Sequence, residues 1–157
     1  MTRITEEILI NAPKNKVWEI ISDLGGIENY HPGVKKSYYT SEIRKGVGAS
    51  RFCELLPMGS IEESATEWEE GEGYVLEVLS GEKLPPFRKA HLKFTVKEEG
   101  QETLATISFD YTLKFGPIGR LLDAWKVRPM FRKVIPRVLD GLKQNSENGG
   151  RTVPSGK

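Results

Sequence analysis

The feature that most constrains this fold is a long amphipathic stretch near the C-terminus, residues 115–143, which reads FGPIGRLLDAWKVRPMFRKVIPRVLDGLK. Apolar residues recur along it at three- and four-residue steps, which predicts a helix with one apolar face. Gly116-Pro117 is typical of a helix start, whereas Pro129 and Pro136 predict a kink or a division. Such a helix requires a large apolar partner. Its predicted apolar face comprises Ile118, Leu121, Leu122, Trp125, Phe131, Val134, Ile135, Val138, Leu139 and Leu142.

The charge of the chain is balanced. Its 157 residues include 23 Lys+Arg and 22 Asp+Glu, which argues against nucleic acid as a partner, because proteins that bind it usually show a strong basic excess. We therefore interpret the basic face of the C-terminal helix as solvated surface. Residues 1–144 are expected to form one domain, and residues 145–157, which lack apolar periodicity, a disordered tail.

Several classes of protein lack support in this sequence. No run approaches the ~20 apolar residues of an integral membrane segment, and the N-terminus lacks a secretory signal pattern, so a cytoplasmic location is expected. A single cysteine, Cys53, excludes an internal disulfide and a cysteine-based zinc site. With only two histidines, on separate predicted elements, we expect no metal and no other cofactor. The GxSxG, P-loop, GxGxxG and HExxH motifs are missing.

The middle of the chain predicts an antiparallel sheet. A first strand at 4–10 precedes an amphipathic helix, and a short helical turn follows at 27–30. Six further segments with period-two patterning are joined by short turns, which favours antiparallel pairing. We predict an α+β fold in which a curved seven-stranded sheet wraps around the long helix and leaves a cavity between them. The six segments are 34–42, 49–55, 60–68, 74–80, 88–96 and 103–115.

This order of elements, together with particular motifs, resembles the START/Bet v 1-like (SRPBCC) superfamily and its helix-grip fold, most closely the polyketide cyclase/dehydrase-like branch. The motifs are ILINAPKNKVWEIISDLGGIENYHPGV at 8–34, GVGASRFCEL at 46–55, GSIEESATEWEEG at 59–71 and FGPIGRLLDAW with LDGLK near the end. The resemblance implies the helix-grip fold and a small hydrophobic ligand. It does not specify a reaction, because the superfamily includes cyclases, lipid carriers and receptors.

Three polar residues are candidates for catalysis. Arg51 and Glu63 lie in mid-strand positions, and the resemblance favours a pair that faces the cavity and polarises a ligand carbonyl. The alternative is an ion pair at the rim, worth ~0–1 kcal/mol. His31, in Tyr30-His31-Pro32, titrates near neutrality and could act as an acid or base, or the segment could simply be a turn with a packed aromatic ring. His91 and Asp110 are expected to face solvent.

Aromatic residues and two proline-rich loops complete the predicted site. Tyr74 and Tyr111 are the most informative, because a buried hydroxyl needs a hydrogen-bond partner that a ligand could supply. Trp125 is predicted either to contact the ligand or to pack in the core. The loops are interpreted as a gate over the cavity or as ordinary hairpin ends. The predicted ligand contacts are Tyr30, Tyr74, Phe94, Phe109, Tyr111, Trp125 and Phe131, and the gate residues are Pro57, Met58, Pro85, Pro86 and Phe87.

Three functions remain open at this point. The first is binding of a small hydrophobic ligand in an internal cavity, with a polyketide cyclase or dehydratase reaction if the protein is an enzyme. The second is a non-catalytic carrier of a lipid or isoprenoid such as a quinone. The third is a protein-interaction module that uses the proline loops. A monomer and a homodimer are both compatible with the sequence.

Overall fold

The computed structural model describes residues 1–148, and its elements follow the predicted order. Strand β1 is followed by helix α1 and a short 3-10 helix, six strands come next, and a long helical segment ends the described chain. The bounds are β1 Thr2–Ile10, α1 Lys14–Ser22, the 3-10 helix Leu24–Asn29, β2 Val34–Tyr39, β3 Ser50–Leu55, β4 Ser60–Glu69, β5 Gly73–Glu82, β6 Phe87–Glu99, β7 Glu102–Leu113, α2 Gly116–Leu122, a π-helical turn Asp123–Val127 and α3 Arg128–Glu147.

The seven strands form one antiparallel sheet in the order β1-β7-β6-β5-β4-β3-β2. Every strand pair is antiparallel, as the short turns predicted. Pairing shifts register in β2, once each in β4 and β5, and at the start of β6. Such bulges bend a strand and increase its twist. The sheet can therefore curve around the C-terminal helix, which confirms the predicted helix-grip architecture.

The core lies on the inner face of this sheet. From Thr103 to Leu113, strand β7 alternates strictly between buried and half-buried residues, as period-two patterning requires. Helix α1 covers one end of the core with Val17, Trp18 and Ile21. Helix α3 packs against β1 and α1 and buries Ile135, Val138, Leu139 and Leu142. None of the helices within residues 1–148 is both long and apolar enough to cross a bilayer.

The C-terminal helix tolerates both of its prolines. A π-helical turn precedes α3, and within it Arg128 N–H donates to Asp123 O, five residues back. Pro129 follows at the start of α3, where a missing N–H is accommodated, and Pro136 lies inside α3. The predicted division therefore falls at this turn, and the chain is helical from Gly116 to Glu147.

The first part of that helix presents a different face from the predicted one. Ile118, Leu121 and Trp125 are 73%, 71% and 79% exposed. The buried residues of this part are Gly119, Asp123 and Val127. Gly119 permits close approach, because a Cβ there would lie 2.1 Å from the Lys114 carbonyl oxygen. Asp123 accepts hydrogen bonds from Tyr111, Thr2 and Arg128. These hydrogen bonds form a polar anchor that holds the side of the helix bearing Asp123 toward the protein. The apolar residues on the opposite side therefore face solvent.

Several element boundaries differ from those predicted, and two of these differences lie at the ends of the C-terminal helical segment. The last strand ends at Leu113 rather than 115, since Phe115 adopts a left-handed backbone with φ +73° and is exposed. The domain extends beyond residue 144, because α3 continues to Glu147 and buries Asn145 and Ser146. The rest of the predicted tail, residues 149–157, lies outside the described residues.

Candidate functional site

A cavity of about 670 Å³ lies between the sheet and the C-terminal helix. Its walls are mainly apolar side chains from β3 to β7 and from the α2–α3 segment. Two groups of polar residues interrupt these walls: one is buried, and the other lies at the mouth. The main apolar lining residues are Ile27, Val34, Cys53, Leu55, Ile61, Val78, Leu92, Phe94, Ile107, Phe109, Leu122, Val127, Phe131, Val134, Ile135 and Val138.

Arg51 and Glu63 form the centre of the buried polar group. They lie directly opposite each other on β3 and β4 and are 3% and 6% exposed. Arg51 Nε donates to Glu63 Oε1 at 3.0 Å, and Nη2 lies 3.0 Å from the same oxygen. Arg51 Nη1 also donates to Leu24 O at 3.2 Å. The two residues share one wall of the cavity, and the pair is buried rather than exposed at the rim.

The guanidinium retains its charge and part of its hydrogen-bonding capacity. Burial is the largest single effect and lowers the pKa of Arg51, but the Glu63 carboxylate and, to a lesser extent, Cys53, Tyr74 and Tyr30 together outweigh it, so the pKa lies above its ordinary value. The contacts described above occupy at most three of its five N–H groups. Arg51 also lines the cavity, so we expect a ligand bound there to meet the remaining donors.

His31 also lines the cavity. Gly33 N–H donates to His31 Nδ1 at 2.9 Å. Burial among protein atoms, assisted by the positive charge of Arg51, lowers the pKa of His31 to about 4. The imidazole is therefore neutral at pH 7, and because Nδ1 accepts a hydrogen bond, its proton lies on Nε2. Within residues 1–148 no group pairs with Nε2, so it offers the cavity a second donor.

Neighbouring titratable groups stay protonated. Burial raises the pKa of the Cys53 thiol to about 11 and that of the Tyr30 phenol to about 12. Cys53 is therefore an inert part of the wall at neutral pH. At neutral pH the buried polar group therefore combines the Arg51 cation, the Glu63 carboxylate and the neutral His31 imidazole.

The aromatic predictions divide into two groups. Phe94, Phe109 and Phe131 line the cavity, and the Phe109 and Phe131 rings meet edge to face at 4.7 Å. Tyr30, Tyr74, Tyr111 and Trp125 are not among the lining residues.

Physical reasons explain three of these four exceptions. Tyr74 packs among Trp18, Trp68 and Phe94, and its hydroxyl donates to Ile21 O at 2.9 Å. The Tyr111 hydroxyl donates to Asp123. Both buried hydroxyls thus find protein partners instead of a ligand. Trp125 is exposed on the outer stripe of the helix.

The two proline-rich loops lie at the mouth of the cavity, and all five predicted gate residues line it. Leu56, Met58 and Met130 are exposed there, and Leu84 contributes a further apolar side chain. Lys83 and Lys126 form the second polar group. We expected Lys126 on a solvated helix face. It lies instead at the entrance, on the same side of the helix as Leu122 and Met130, which are one turn away in each direction and also line the cavity.

Sequence reasoning missed most of the aliphatic lining. Ile61, Val78 and Leu92 occupy inward positions of their strands, so period two was the signal that could have identified them. His91 and Asp110 lie outside the cavity, where His91 contacts Glu77 at 3.4 Å and Asp110 pairs with Arg3. Among residues 1–148 no cluster of three or more His, Cys, Asp or Glu side chains could hold a metal.

A curved antiparallel sheet that holds a helix over an apolar cavity is the architecture of the START-type helix-grip proteins. The family described as "Polyketide cyclase / dehydrase and lipid transport" matches residues 1–147. The chain therefore belongs to this family. No curated protein matches the sequence significantly.

Solved structures share the fold at low sequence identity. TTHA0849 from Thermus thermophilus has a TM-score of 0.76 and 19% identity over 94% of this chain and 98% of that one. A START superfamily protein from Mycobacterium smegmatis has a TM-score of 0.75 and 14% identity, over 93% of this chain and 97% of that one. The Zhui aromatase/cyclase from Streptomyces has a TM-score of 0.74 and 14% identity, over 98% of each chain. At these identities the likeness establishes a common fold.

Proposed function

We propose that this protein binds a small, largely apolar molecule that carries a hydrogen-bond acceptor, such as a carbonyl or carboxylate, at one end. The observation that carries the proposal is the apolar cavity of about 670 Å³ with Arg51, Glu63 and His31 in its wall. A volume in this range is typical of small-molecule sites, where few polar groups set the orientation of the ligand. The family description supports the same interpretation.

The ligand would enter between the proline loops and the helix with its polar end first. Arg51 precedes Leu55 by four residues, which places its backbone roughly 13 Å along β3 from the mouth. There the free N–H groups of Arg51 and the Nε2–H of His31 would donate to the acceptor. A buried donor pair that a ligand satisfies is worth more than an exposed pair, because water competes less for it.

Native mass spectrometry of freshly purified protein tests this proposal first. We expect a bound apolar molecule at one per chain, or stoichiometric uptake of a dansyl-labelled fatty acid. Val78→Trp should fill the cavity and abolish uptake. Val75→Trp, which adds the same side chain to the outward side of β5, is the matched control and should bind normally. Equal uptake by both variants would contradict binding in the cavity.

The role of the polar end needs a separate variant. Arg51→Met with Glu63→Leu removes both charges together and leaves no buried charge unpaired. We expect this variant to bind the labelled fatty acid at least about tenfold more weakly than the wild type, the equivalent of one lost charge-assisted hydrogen bond. Unchanged affinity in a folded variant would favour a carrier that recognises only the apolar part of its ligand.

A second candidate function is cyclisation or dehydration of a polyketide-like substrate, and the carboxylate and neutral imidazole beside Arg51 support it. Glu63 would remove a proton from the carbon between two carbonyls, and Arg51 together with the Nε2–H of His31 would stabilise the enolate oxygen. The enolate carbon would then attack a second carbonyl of the same molecule, and the resulting alkoxide would take up a proton. Loss of water from that alcohol would complete a dehydration.

Incubation with a poly-β-carbonyl compound, with products followed by mass spectrometry, tests this reaction. We expect a product of unchanged mass for cyclisation, or one lighter by one water for dehydration. Glu63→Gln should lower the rate, whereas Glu77→Gln, on the outer face, should not. A rate equal to that of buffer would reject the enzymatic candidate and leave the binding function standing.

A further inference from the structure

An apolar stripe on the outside of α2 and the π-helical turn has no partner among the described residues. Ile118, Leu121 and Trp125 follow the three- and four-residue spacing of one helix face, and each is more than two-thirds exposed. Phe115, just before α2, is exposed as well. Single exposed apolar residues are ordinary, but a contiguous patch of large ones marks an interaction surface.

The stripe lies beside the entrance to the cavity. Leu122 and Lys126, one residue after Leu121 and Trp125, line the cavity, as does Met130 on the next turn. The opposite rim contributes the exposed Leu56 and Met58. Apolar side chains therefore surround the opening through which a ligand would pass.

Positive charge is concentrated on the same segment. Residues 114–137 contain seven basic residues and one acidic residue, Asp123. That carboxylate is buried and paired with Arg128. The chain as a whole carries a net charge of only +1, so this surface differs sharply from the rest. The seven are Lys114, Arg120, Lys126, Arg128, Arg132, Lys133 and Arg137.

We infer that this surface docks on an anionic lipid bilayer, with the mouth of the cavity facing the membrane. A tryptophan and aliphatic residues flanked by lysine and arginine are the composition of interfacial helices, whose apolar side enters the headgroup region while the cations contact anionic lipids. The inference rests on the proposed function, because an apolar ligand is concentrated in bilayers. A docked mouth would let it pass between membrane and cavity without crossing water.

Vesicle flotation with the full chain tests the docking. We expect the wild type to bind vesicles of phosphatidylcholine with about one-third phosphatidylserine at least about tenfold more tightly than vesicles of phosphatidylcholine alone, and to lose binding at high salt. Trp125 fluorescence should shift to the blue on binding, and Trp125→Phe should remove that shift. No flotation with either vesicle would overturn the inference.

Matched variants distinguish binding through the stripe from nonspecific adsorption to vesicles by any exposed apolar residue. Leu121→Ser with Trp125→Ser should weaken vesicle binding at least about tenfold. Ile43→Ser with Val47→Ser changes two exposed apolar residues between β2 and β3, at the far end of the sheet, and should bind as the wild type does. If the stripe variant still binds, the apolar part of the proposal is wrong.

Charge is tested in the same way. Arg120→Glu with Arg132→Glu should weaken binding by about tenfold or more, whereas Lys45→Glu with Lys97→Glu, which lie away from the mouth, should have a much smaller effect. Equal losses would show that only total charge matters and would overturn docking by this surface. Sedimentation of the wild type in parallel identifies a competing occupant. A dimer that the stripe variant converts to a monomer, without vesicle binding, would assign the stripe to self-association.

The docking and the proposed function can fail independently. Val78→Trp blocks the cavity while leaving the outer surface intact, so it should still float with anionic vesicles. Conversely, the stripe variant should still take up the labelled fatty acid in solution. Loss of vesicle binding in Val78→Trp would overturn a docking surface that is separate from the cavity.

Discussion

At the scale of the residue, the buried pair of Arg51 and Glu63 is the most consequential feature. The sheet register places the two side chains opposite each other, so the ion pair needs no loop to position it. Removing charges from water costs several kcal/mol per ion, and hydrogen bonds with good geometry must offset that cost. The buried pair therefore contributes little net stability. This favours a role for the pair in binding rather than in holding the fold together.

This leads to a prediction about stability. Arg51→Met leaves Glu63 buried without its partner and should lower the free energy of unfolding by about 3–5 kcal/mol. The double variant Arg51→Met, Glu63→Leu should lie within ~2 kcal/mol of the wild type, because it leaves no charge uncompensated. Urea denaturation measures both. Arg3→Met, which breaks the exposed pair with Asp110, is the control and should change stability little. Additive losses in the double variant would refute this view of the pair.

His31 predicts a pH dependence of stability. Its pKa of about 4 lies below the ordinary 6.5, so between these values the unfolded chain binds more protons than the folded one. Stability should therefore be complete above pH 6.5 and fall as the pH drops toward 4. His31→Asn retains an acceptor for Gly33 N–H without titrating. The wild type should lose on the order of 2 kcal/mol more than this variant across the window, whereas His91→Asn should behave as the wild type. Parallel curves of stability against pH for the wild type and His31→Asn would show that the pKa of His31 is not lowered in the folded protein.

At the scale of the element, the C-terminal helix is held by its polar anchor as much as by its apolar face. The Asp123 carboxylate receives hydrogen bonds from Thr2, Tyr111 and Arg128, which join β1, β7 and the start of α3. Burial alone would raise the pKa of Asp123, but these hydrogen bonds hold it below its ordinary value. The anchor therefore contributes stability above the unfolded pKa of Asp123 and loses it as the pH falls through the folded value.

Tyr111→Phe tests this anchor. It removes one of the three donors, so we expect a loss of about 1–2 kcal/mol at neutral pH. The acid limb of the stability curve should also move to higher pH, because the pKa of Asp123 rises when a donor is lost. Tyr38→Phe, which removes an exposed hydroxyl, should leave both quantities unchanged. A shift of the acid limb in neither variant would show that the hydroxyl does not stabilise the carboxylate.

Helix α3 also depends on one small residue. A Cβ at Gly141 would lie 1.9 Å from the carbonyl oxygen of Tyr30, so the helix backbone contacts the segment that leads into His31. Gly141→Ala should therefore lower the unfolding temperature, at a cost of about 1–3 kcal/mol, although alanine is the better helix former. Asp140→Ala, one position earlier on the exposed side, should change it little. A gain in stability for Gly141→Ala would mean that the contact relaxes at no cost.

At the scale of the whole molecule, sequence patterning was enough for the architecture. Alternation in β7 and the spacing in α3 follow directly from burial, which is why the fold class and the antiparallel pairing could be predicted. The pairing of Arg51 with Glu63 toward the cavity was expected only from the family resemblance, since alternation alone also allowed an ion pair at the rim. The orientation of α2 could not be predicted, because its apolar spacing is genuine and the outward turn of that face depends on long-range hydrogen bonds from Thr2 and Tyr111 to Asp123. Tyr74 illustrates the same limit, since a local pattern cannot show that Ile21 O, 53 residues earlier in the chain, accepts its hydrogen bond.

The cavity has a further consequence, for the thermodynamics of the folded state. The interior between sheet and helix is not closed by the protein's own side chains, so whatever occupies it contributes to the free energy of folding. A molecule present at one hundred times its dissociation constant adds about 2.7 kcal/mol of stability, provided that the unfolded chain does not bind it. The melting temperature of this protein would then depend on its surroundings, and a rise on adding candidate compounds would rank them by affinity before any activity is known.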